Sequence, residues 1–346
     1  MKTIKYIAIF ISLIVLGESY GQGFYNRGVW KKQRVEWSGG LGASNFLGDL
    51  GGRDRIGSDF VWDLEWNRTN FAATFNHMYY LSRKIGLRTN VTYAKVSGND
   101  NLTQEYFRNN RNLNFESHIG EVSMVLEIQF KKEKVGNVYN LKSPAGRKLG
   151  LKSMAIGFYG VVGIGGFYYN PKGMDANGML VPLRPLHTEG QGLTYDHPFW
   201  TAKETGEIMK GPKQYSNFSV AIPLGFGIRR SFNRDWGLKV ELTHRFTFTD
   251  YIDDVSGVYF ENHVIREAYG AQAAYFADPA FIGYDSHGPE DGTGGSQTAQ
   301  TFAGQQRGDA TDKDGYMILM VSVYKKIRTQ RSNKKRKSSR RVKASF

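Results

Sequence analysis

The 346-residue sequence predicts an all-β chain: an eight-stranded antiparallel up-and-down β-barrel of the outer-membrane type, with long outer loops and a basic tail. Three observations carry that expectation. Strict alternation of apolar and polar residues recurs in segments near the roughly 10 residues that a tilted membrane strand needs. Charges of both signs fall on the polar face of those segments, where a lumen shielded from lipid lets them pair. Tight turns on one side alternate with long loops on the other. Composition agrees. The 41 Gly, 22 Phe, 20 Tyr and 6 Trp favour strands and argue against a disordered chain. A mean hydropathy of −0.46 excludes a multi-span helical membrane protein. The absence of Cys excludes a disulfide scaffold and Cys-ligated zinc.

The elements follow in order. Lys2 and Lys5 precede an apolar run from Tyr6 to Leu16, then Gly17-Glu18-Ser19-Tyr20-Gly21. That order predicts a secretory signal peptide over 1–21, cleaved between Gly21 and Gln22. The run is too short for a membrane-spanning helix. The barrel with its loops is expected over 22–327, and a disordered basic tail over 328–346.

The first strand, Val35 to Ala43, is glycine-rich. In the second, Phe71, Ala73, Phe75, His77, Tyr79 and Leu81 share a face. After Ser82-Arg83-Lys84 the third runs from Ile85 to Ala94. The fourth spans Phe115 to Phe130, with Val122, Met124, Leu126, Ile128 and Phe130 in phase. The fifth, Met154 to Tyr169, is apolar on both faces. The sixth, Phe218 to Ile228, and the seventh, Leu238 to Phe248, alternate strictly and are joined by the polar turn Asn233-Arg234-Asp235. The eighth, Tyr316 to Tyr324, is ambiguous in phase.

The polar faces hold Arg88, Glu121, Glu127, Lys239, Glu241 and Arg245. These are expected to face the lumen and plug it, leaving the apolar faces to lipid. Tyr79, Tyr80, Tyr168, Tyr169, Trp236, Tyr316 and Tyr324 lie near strand ends, where aromatic girdles belong. A soluble barrel or sandwich with the apolar faces inside is the competing reading. Loops near 44–70, 97–113, 170–214 and 251–314 are expected on one side. Three features conflict with the pattern: the long 131–152 connection on the short-turn side, Pro223 within a strand, and His77 and His244 on the lipid-facing phase.

Candidate chemistry is sparse. Asp250, Asp253 and Asp254, and again Asp309, Asp312 and Asp314, read as capping carboxylates of turns; neither set has a recognised cation-loop spacing. His187, His197 and His263 fall in long loops with no spacing that defines a catalytic set. The glycines from Gly160 to Gly166 precede no helix, so they are no nucleotide cradle. The expectation is no catalytic residue, no cofactor, no metal and no enzymatic activity. Segment Gly288 to Gln306 reads as a mobile outer loop.

The net charge of +14 is concentrated at one end. From Lys325 onward there are eleven bases and no acid, which leaves the body near +2. Arg328, Arg331, Lys334, Lys335, Arg336, Lys337, Arg340, Arg341 and Lys343 form the tail. Export argues against a nucleic-acid partner, so an anionic protein, a lipid headgroup surface or a cell-wall polymer is expected.

Two stretches carry a family resemblance. Leu41-Gly42-Ala43-Ser44-Asn45-Phe46-Leu47-Gly48-Asp49-Leu50-Gly51-Gly52 follows the first strand, and Phe248-Thr249-Asp250-Tyr251-Ile252-Asp253-Asp254-Val255-Ser256 ends the seventh. With the signal peptide and eight strands, the chain resembles the PorG family, the outer-membrane barrel of the Bacteroidota type IX secretion system. The motif residues are Gly42, Asn45, Gly48, Asp49, Asp250, Asp253 and Asp254. The resemblance implies a structural role in protein secretion, in some species linked to gliding, beside a periplasmic ring. The expected partners are then outer-membrane lipid and periplasmic ring proteins, with no nucleic acid and no small-molecule substrate. Both mature termini would be periplasmic. The rivals are an OmpA-like adhesion barrel that binds through its outer loops, an outer-membrane enzyme and a soluble lipocalin-like binder.

Overall fold

The computed structural model describes residues 30–50, 69–102, 106–133, 156–195, 209–280, 301 and 303–328. The signal peptide, the Gly21/Gln22 cleavage pair, the tail beyond Arg328, His197 and most of the 288–306 segment lie outside the described residues.

The wall consists of eight strands: β1 Val35–Leu47, β2 Asn70–Tyr80, β3 Ile85–Asn99, β4 Asn114–Lys131, β5 Gly157–Tyr168, β10 Phe218–Ser231, β11 Trp236–Thr247 and β12 Gly315–Ile327. Every wall strand pairs antiparallel with its neighbours, and β12 returns to β1 with Val35 opposite Ile327. The sheet is therefore a closed eight-stranded meander. The lesser strands lie in the loops: β6 Pro171–Met174, β7 Leu180–Pro182, β8 Thr194–Tyr195 and β9 Met209–Lys210.

Closure gives the period of two its meaning. Leu41, Phe75, Val91, Val122, Ile164, Leu224 and Leu319 point outward and are exposed, whereas Arg88, Glu121, Glu127, Lys239 and Arg245 point inward and are buried. An apolar exterior around a charged interior is the inverse of a soluble core and matches a wall facing lipid. No described helix is long and apolar enough to cross a membrane.

Several expectations need correction. Tyr79, Tyr168 and Trp236 do stand outward, but Tyr80, Tyr169, Tyr316 and Tyr324 are buried inside, at 1 % exposure or less. Adjacent residues of a strand take opposite faces, so Tyr79-Tyr80 and Tyr168-Tyr169 cannot both serve a girdle. Trp37, Phe71, Tyr93 and Phe218 supply exposed aromatics outside instead. β12 runs past the expected end of the eighth strand at Tyr324 and takes in Lys325 and Lys326. Lys325 lies 4.8 Å over Trp236, and Lys326 is buried in the lumen.

Pro223 is accommodated by a gap in the ladder. It pairs with Arg245 on β11, but the β5 pairing lapses between Ala221 and Leu224. A residue with no N–H sits where no donor is needed. His77 lies 4.7 Å from Trp37 with the rings tilted at 59°, at the short-turn end, and His244 contacts Phe246 at 4.2 Å near the other end. The long loops contain helices that the sequence reading did not foresee, Tyr106–Arg111, Asn262–Tyr269 and Ala271–Ala277. They form a cap over the loop end of the barrel. Ile265, Ala273, Ala277 and Phe260 make a small core of their own there.

Candidate functional site: lumen plug and outer mouth

The lumen is filled in two layers. Toward the short-turn end, Arg229 is the hub. Its guanidinium reaches Glu36 at 2.7 Å, Glu127 at 2.8 Å and Glu133 at 3.4 Å, and lies 4.5 Å over the Tyr324 ring. Lys239 bridges Glu36 at 2.5 Å and Glu127 at 3.1 Å. Arg88 grips Glu241 with two bonds of 2.7 and 2.8 Å and touches Glu127 at 3.2 Å. Lys326 pairs with Glu133 at 2.7 Å. Tyr80 donates to Glu36 at 2.6 Å and Tyr324 to Glu133 at 2.7 Å. Farther up, Arg245 pairs with Glu121 at 3.0 Å, and Tyr316 donates to the same carboxylate at 2.8 Å.

The six charges singled out in the sequence thus all enter the lumen. They are joined by Glu36, Glu133, Arg229 and Lys326, making five cations against five carboxylates among the described residues. Three of the missing four carried a readable signal. Glu36 and Arg229 lie on the polar phase of their strands, and Lys326 continues the phase of Tyr324. Glu133 follows the end of β4, beyond the β-bulge at Gln129/Lys131, so periodicity could not place it. A polar cavity of about 20 Å³ between Arg88, Asn90, Glu241 and Arg245 holds roughly one water molecule.

Above this layer the plug turns apolar. Phe46, Ala94, Val96, Phe115, Ile119, Phe167 and Ile318 fill the outer half of the lumen. Leu50, Ile252, Val255, Tyr215 and Phe276 descend onto them from the loops. The sequence reading expected the plug to be made of charges alone.

At the outer mouth the two resemblance motifs meet. Leu50 N–H donates to Asp253 at 3.1 Å, and Asp253 also accepts from Val255 N–H at 3.0 Å. Asp49 accepts from Asp309 N–H at 2.8 Å, and Asp314 accepts from Ile252 N–H at 2.7 Å. Asp250 accepts from the Ser256 hydroxyl at 2.6 Å. Asp254 accepts from Thr188 and Tyr215, each at 2.5 Å. Gly48 lets this collar close: a Cβ there would collide with the Asp314 carboxylate and the Phe46 ring. Gly42, lower on β1, leaves room for the Leu319 carbonyl, while Asn45 is buried near the strand's outer end.

Cations are fewer here. Arg307 donates to Glu189 at 3.0 Å and to the Asp254 carbonyl at 2.7 Å. Arg111 pairs with Asp100 at 2.7 Å and donates to the carbonyls of Asp49 and Arg307. Burial, reinforced by neighbouring carboxylates, pushes Asp49 up to about 6 and Asp250 to about 7, and Asp253 and Asp314 well above the usual carboxylate range. Burial takes Asp254 to about 6 against the pull of Arg307.

Asp49, Asp253 and Asp314 accept from backbone amides, and Asp250 and Asp254 from side-chain hydroxyls. Among the described residues no three acids or histidines are grouped as a metal site. His187 stacks at 4.2 Å on Tyr269 and bonds the Gln191 carbonyl at 2.9 Å, and His263 sits 3.0 Å from Glu261. The structure does not bring these two histidines and the aspartates together as a set. Glu189, Arg111 and Arg307 complete the mouth and were missed, because isolated charges in long loops carry no periodicity.

Residues 29–144 match a family described as a domain of unknown function, DUF6089. No curated protein matches the sequence. Similar solved structures include Ail, the attachment invasion locus protein of Yersinia pestis, at 7 % identity and a TM-score of 0.33, covering 86 % of this chain and 99 % of that one. Neisserial surface protein A gives 7 % identity and 0.33, with coverages of 85 % and 97 %. OprG, an outer-membrane protein of Pseudomonas aeruginosa, gives 8 % and 0.28, with coverages of 86 % and 97 %. Scores this low say nothing about activity. The closed ladder and its apolar exterior make the chain an eight-stranded barrel of the outer-membrane type.

Proposed function

We propose that the chain is a non-conducting outer-membrane barrel with no enzymatic activity, which serves as a structural component of a type IX protein secretion machine. The observation that carries this reading is the lumen. Among the described residues it is filled from the Arg229 network to the Phe46–Phe167 layer, with a cavity of about 20 Å³ between Arg88, Asn90, Glu241 and Arg245. A barrel whose described lumen is filled and whose described residues assemble no catalytic set is suited to anchoring. The resemblance to PorG supports the narrower assignment, and five of its seven motif residues, Gly48, Asp49, Asp250, Asp253 and Asp254, meet in one collar. The chain would start and end at the short-turn side. The tail from Arg328 would then extend into the periplasm, within reach of an acidic ring partner.

Two measurements test this reading. Purified full-length protein in planar bilayers should show no steady conductance; a large single-channel current refutes the plugged anchor. Affinity-tagged protein from native outer membranes should co-purify with secretion-machine proteins, and removal of 329–346 should weaken that recovery while leaving a heat-modifiable barrel. Recovery of the barrel alone removes the secretion assignment.

One observation favours a second reading, a display barrel that binds through its outer loops. The cap formed by β6–β9 and the 262–277 helices has its own packed core. Replacing 257–280 by a short linker should spare secretion under the first reading and abolish surface binding under the second.

A further inference from the structure

The short-turn end of the barrel carries an unbalanced ring of positive charge. Outside the lumen, the described residues at this end include eleven Lys and Arg against one acid, Asp235. Asp235 is already engaged by Gln33 at 2.5 Å and by Arg328 at 3.5 Å. The bases are not one patch. They occur at the approach to β1 (31–34), in the β2–β3 turn (83–84), at the end of β4 (131–132), at the β10–β11 turn (230–234) and at the end of β12 (325–328). The other end is close to balanced: outside its buried residues, the described loop end holds seven acids and nine bases.

Geometry places this ring at a lipid boundary. Lys325 is outward on β12 and lies over Trp236 at 4.8 Å. Lys131 lies over Phe158 at 5.2 Å, and Arg34 donates to the Tyr79 hydroxyl at 3.2 Å. These three bases meet aromatic residues at the margin of the apolar belt, the arrangement of a stem lying along apolar surface with its charge at a headgroup. A docked protein would contact one sector. Bases on all sides, level with the end of the apolar wall, match a partner that surrounds the barrel.

We infer that the basic ring at the short-turn end is a binding belt for anionic phospholipid headgroups of the leaflet it faces. The inference goes beyond the anchoring function and rests on the outer-membrane reading. Each base near an anionic surface strengthens attraction to the lipid phosphate, and that attraction falls with salt. The belt would collect anionic lipid around the barrel and resist its tilting or withdrawal.

The test is native mass spectrometry of the full-length protein, released from mixed micelles holding equal phosphatidylglycerol and phosphatidylethanolamine. The wild type should retain phosphatidylglycerol preferentially, and less of it at high salt. A variant with Arg83→Gln, Lys84→Gln, Arg230→Gln, Arg234→Gln and Lys325→Gln should lose that preference by at least about tenfold. It should still show the heat-dependent gel mobility of a folded barrel. Equal retention of the two lipids by the wild type overturns the inference, whatever the variant does. So does an undiminished preference in the folded variant, or a preference that vanishes only when 329–346 is removed. If the variant fails to fold, the wild-type ratio and its salt dependence decide. A chain that stays soluble without detergent refutes the membrane reading and the belt together. A detergent-requiring barrel with no lipid preference refutes the belt alone.

Discussion

The inner lumen and the outer mouth are both buried and both crowded with carboxylates, yet they are built on opposite electrostatic plans. In the lumen five carboxylates meet five cations, and Arg229 alone contacts three of the acids. At the mouth Asp49, Asp250, Asp253, Asp254, Asp314 and Glu189 share Arg307 and Arg111, with the half-exposed Lys313 3.8 Å from Asp250. Backbone N–H groups supply much of the remaining stabilisation there. The lumen is therefore a closed set of ion pairs, and losing one partner strands the others. The mouth is a set of loop clamps that hold best when part of the set is protonated. One region makes the barrel rigid; the other makes the attachment of its loops depend on pH.

The sharpest break in that contrast is Arg229→Met. It should leave Glu36, Glu127 and Glu133 short of charge and lower the unfolding free energy by about 3–5 kcal/mol, read by urea unfolding in lipid vesicles. A loss below about 1 kcal/mol would show that the lumen charges do not act as one network. Next comes Arg307→Met at the mouth. It should cost about 2–3 kcal/mol, felt as protease nicking in 249–256 and 303–314 while the barrel keeps its gel mobility. Global unfolding instead would erase the distinction between the two regions.

The pH effect is smaller. Asp250 rises to about 7 and Asp49 and Asp254 to about 6, so these acids bind protons more tightly in the folded collar than when unfolded. Their contribution is complete below the ordinary carboxylate value near 4 and is lost as pH climbs through 6 to 7. Amide protection factors in 249–256 should thus fall from pH 5 to pH 8. Asp250→Asn should flatten that fall and stabilise the collar at pH 8 by about 1–2 kcal/mol. The smallest effect is expected at Lys95, paired with Glu116 at 2.8 Å on the barrel's outer surface. Lys95→Gln should change stability by less than about 1 kcal/mol, since solvent screens an exposed pair.

Sequence alone determined the wall. Period-two alternation located β2, β3, β4, β10 and β11, because a strand that separates lipid from a polar lumen must change character at every residue, while β1, β5 and β12 were found by their glycine and apolar content. It also determined that Arg88, Glu121, Glu127, Lys239, Glu241 and Arg245 share the inward face, since phase is a local property. Where both faces of a strand are apolar or aromatic, as in Tyr316–Tyr324, local pattern has no contrast to read, and Tyr316 and Tyr324 were placed on the wrong side. Only the tertiary structure decided that Arg229 meets Glu36 across 193 positions, or that Asp49 and Asp253 belong to one collar. Those meetings depend on closure of β1 against β12 and on the path of long loops, which bring together residues whose own neighbours in sequence carry no trace of the contact.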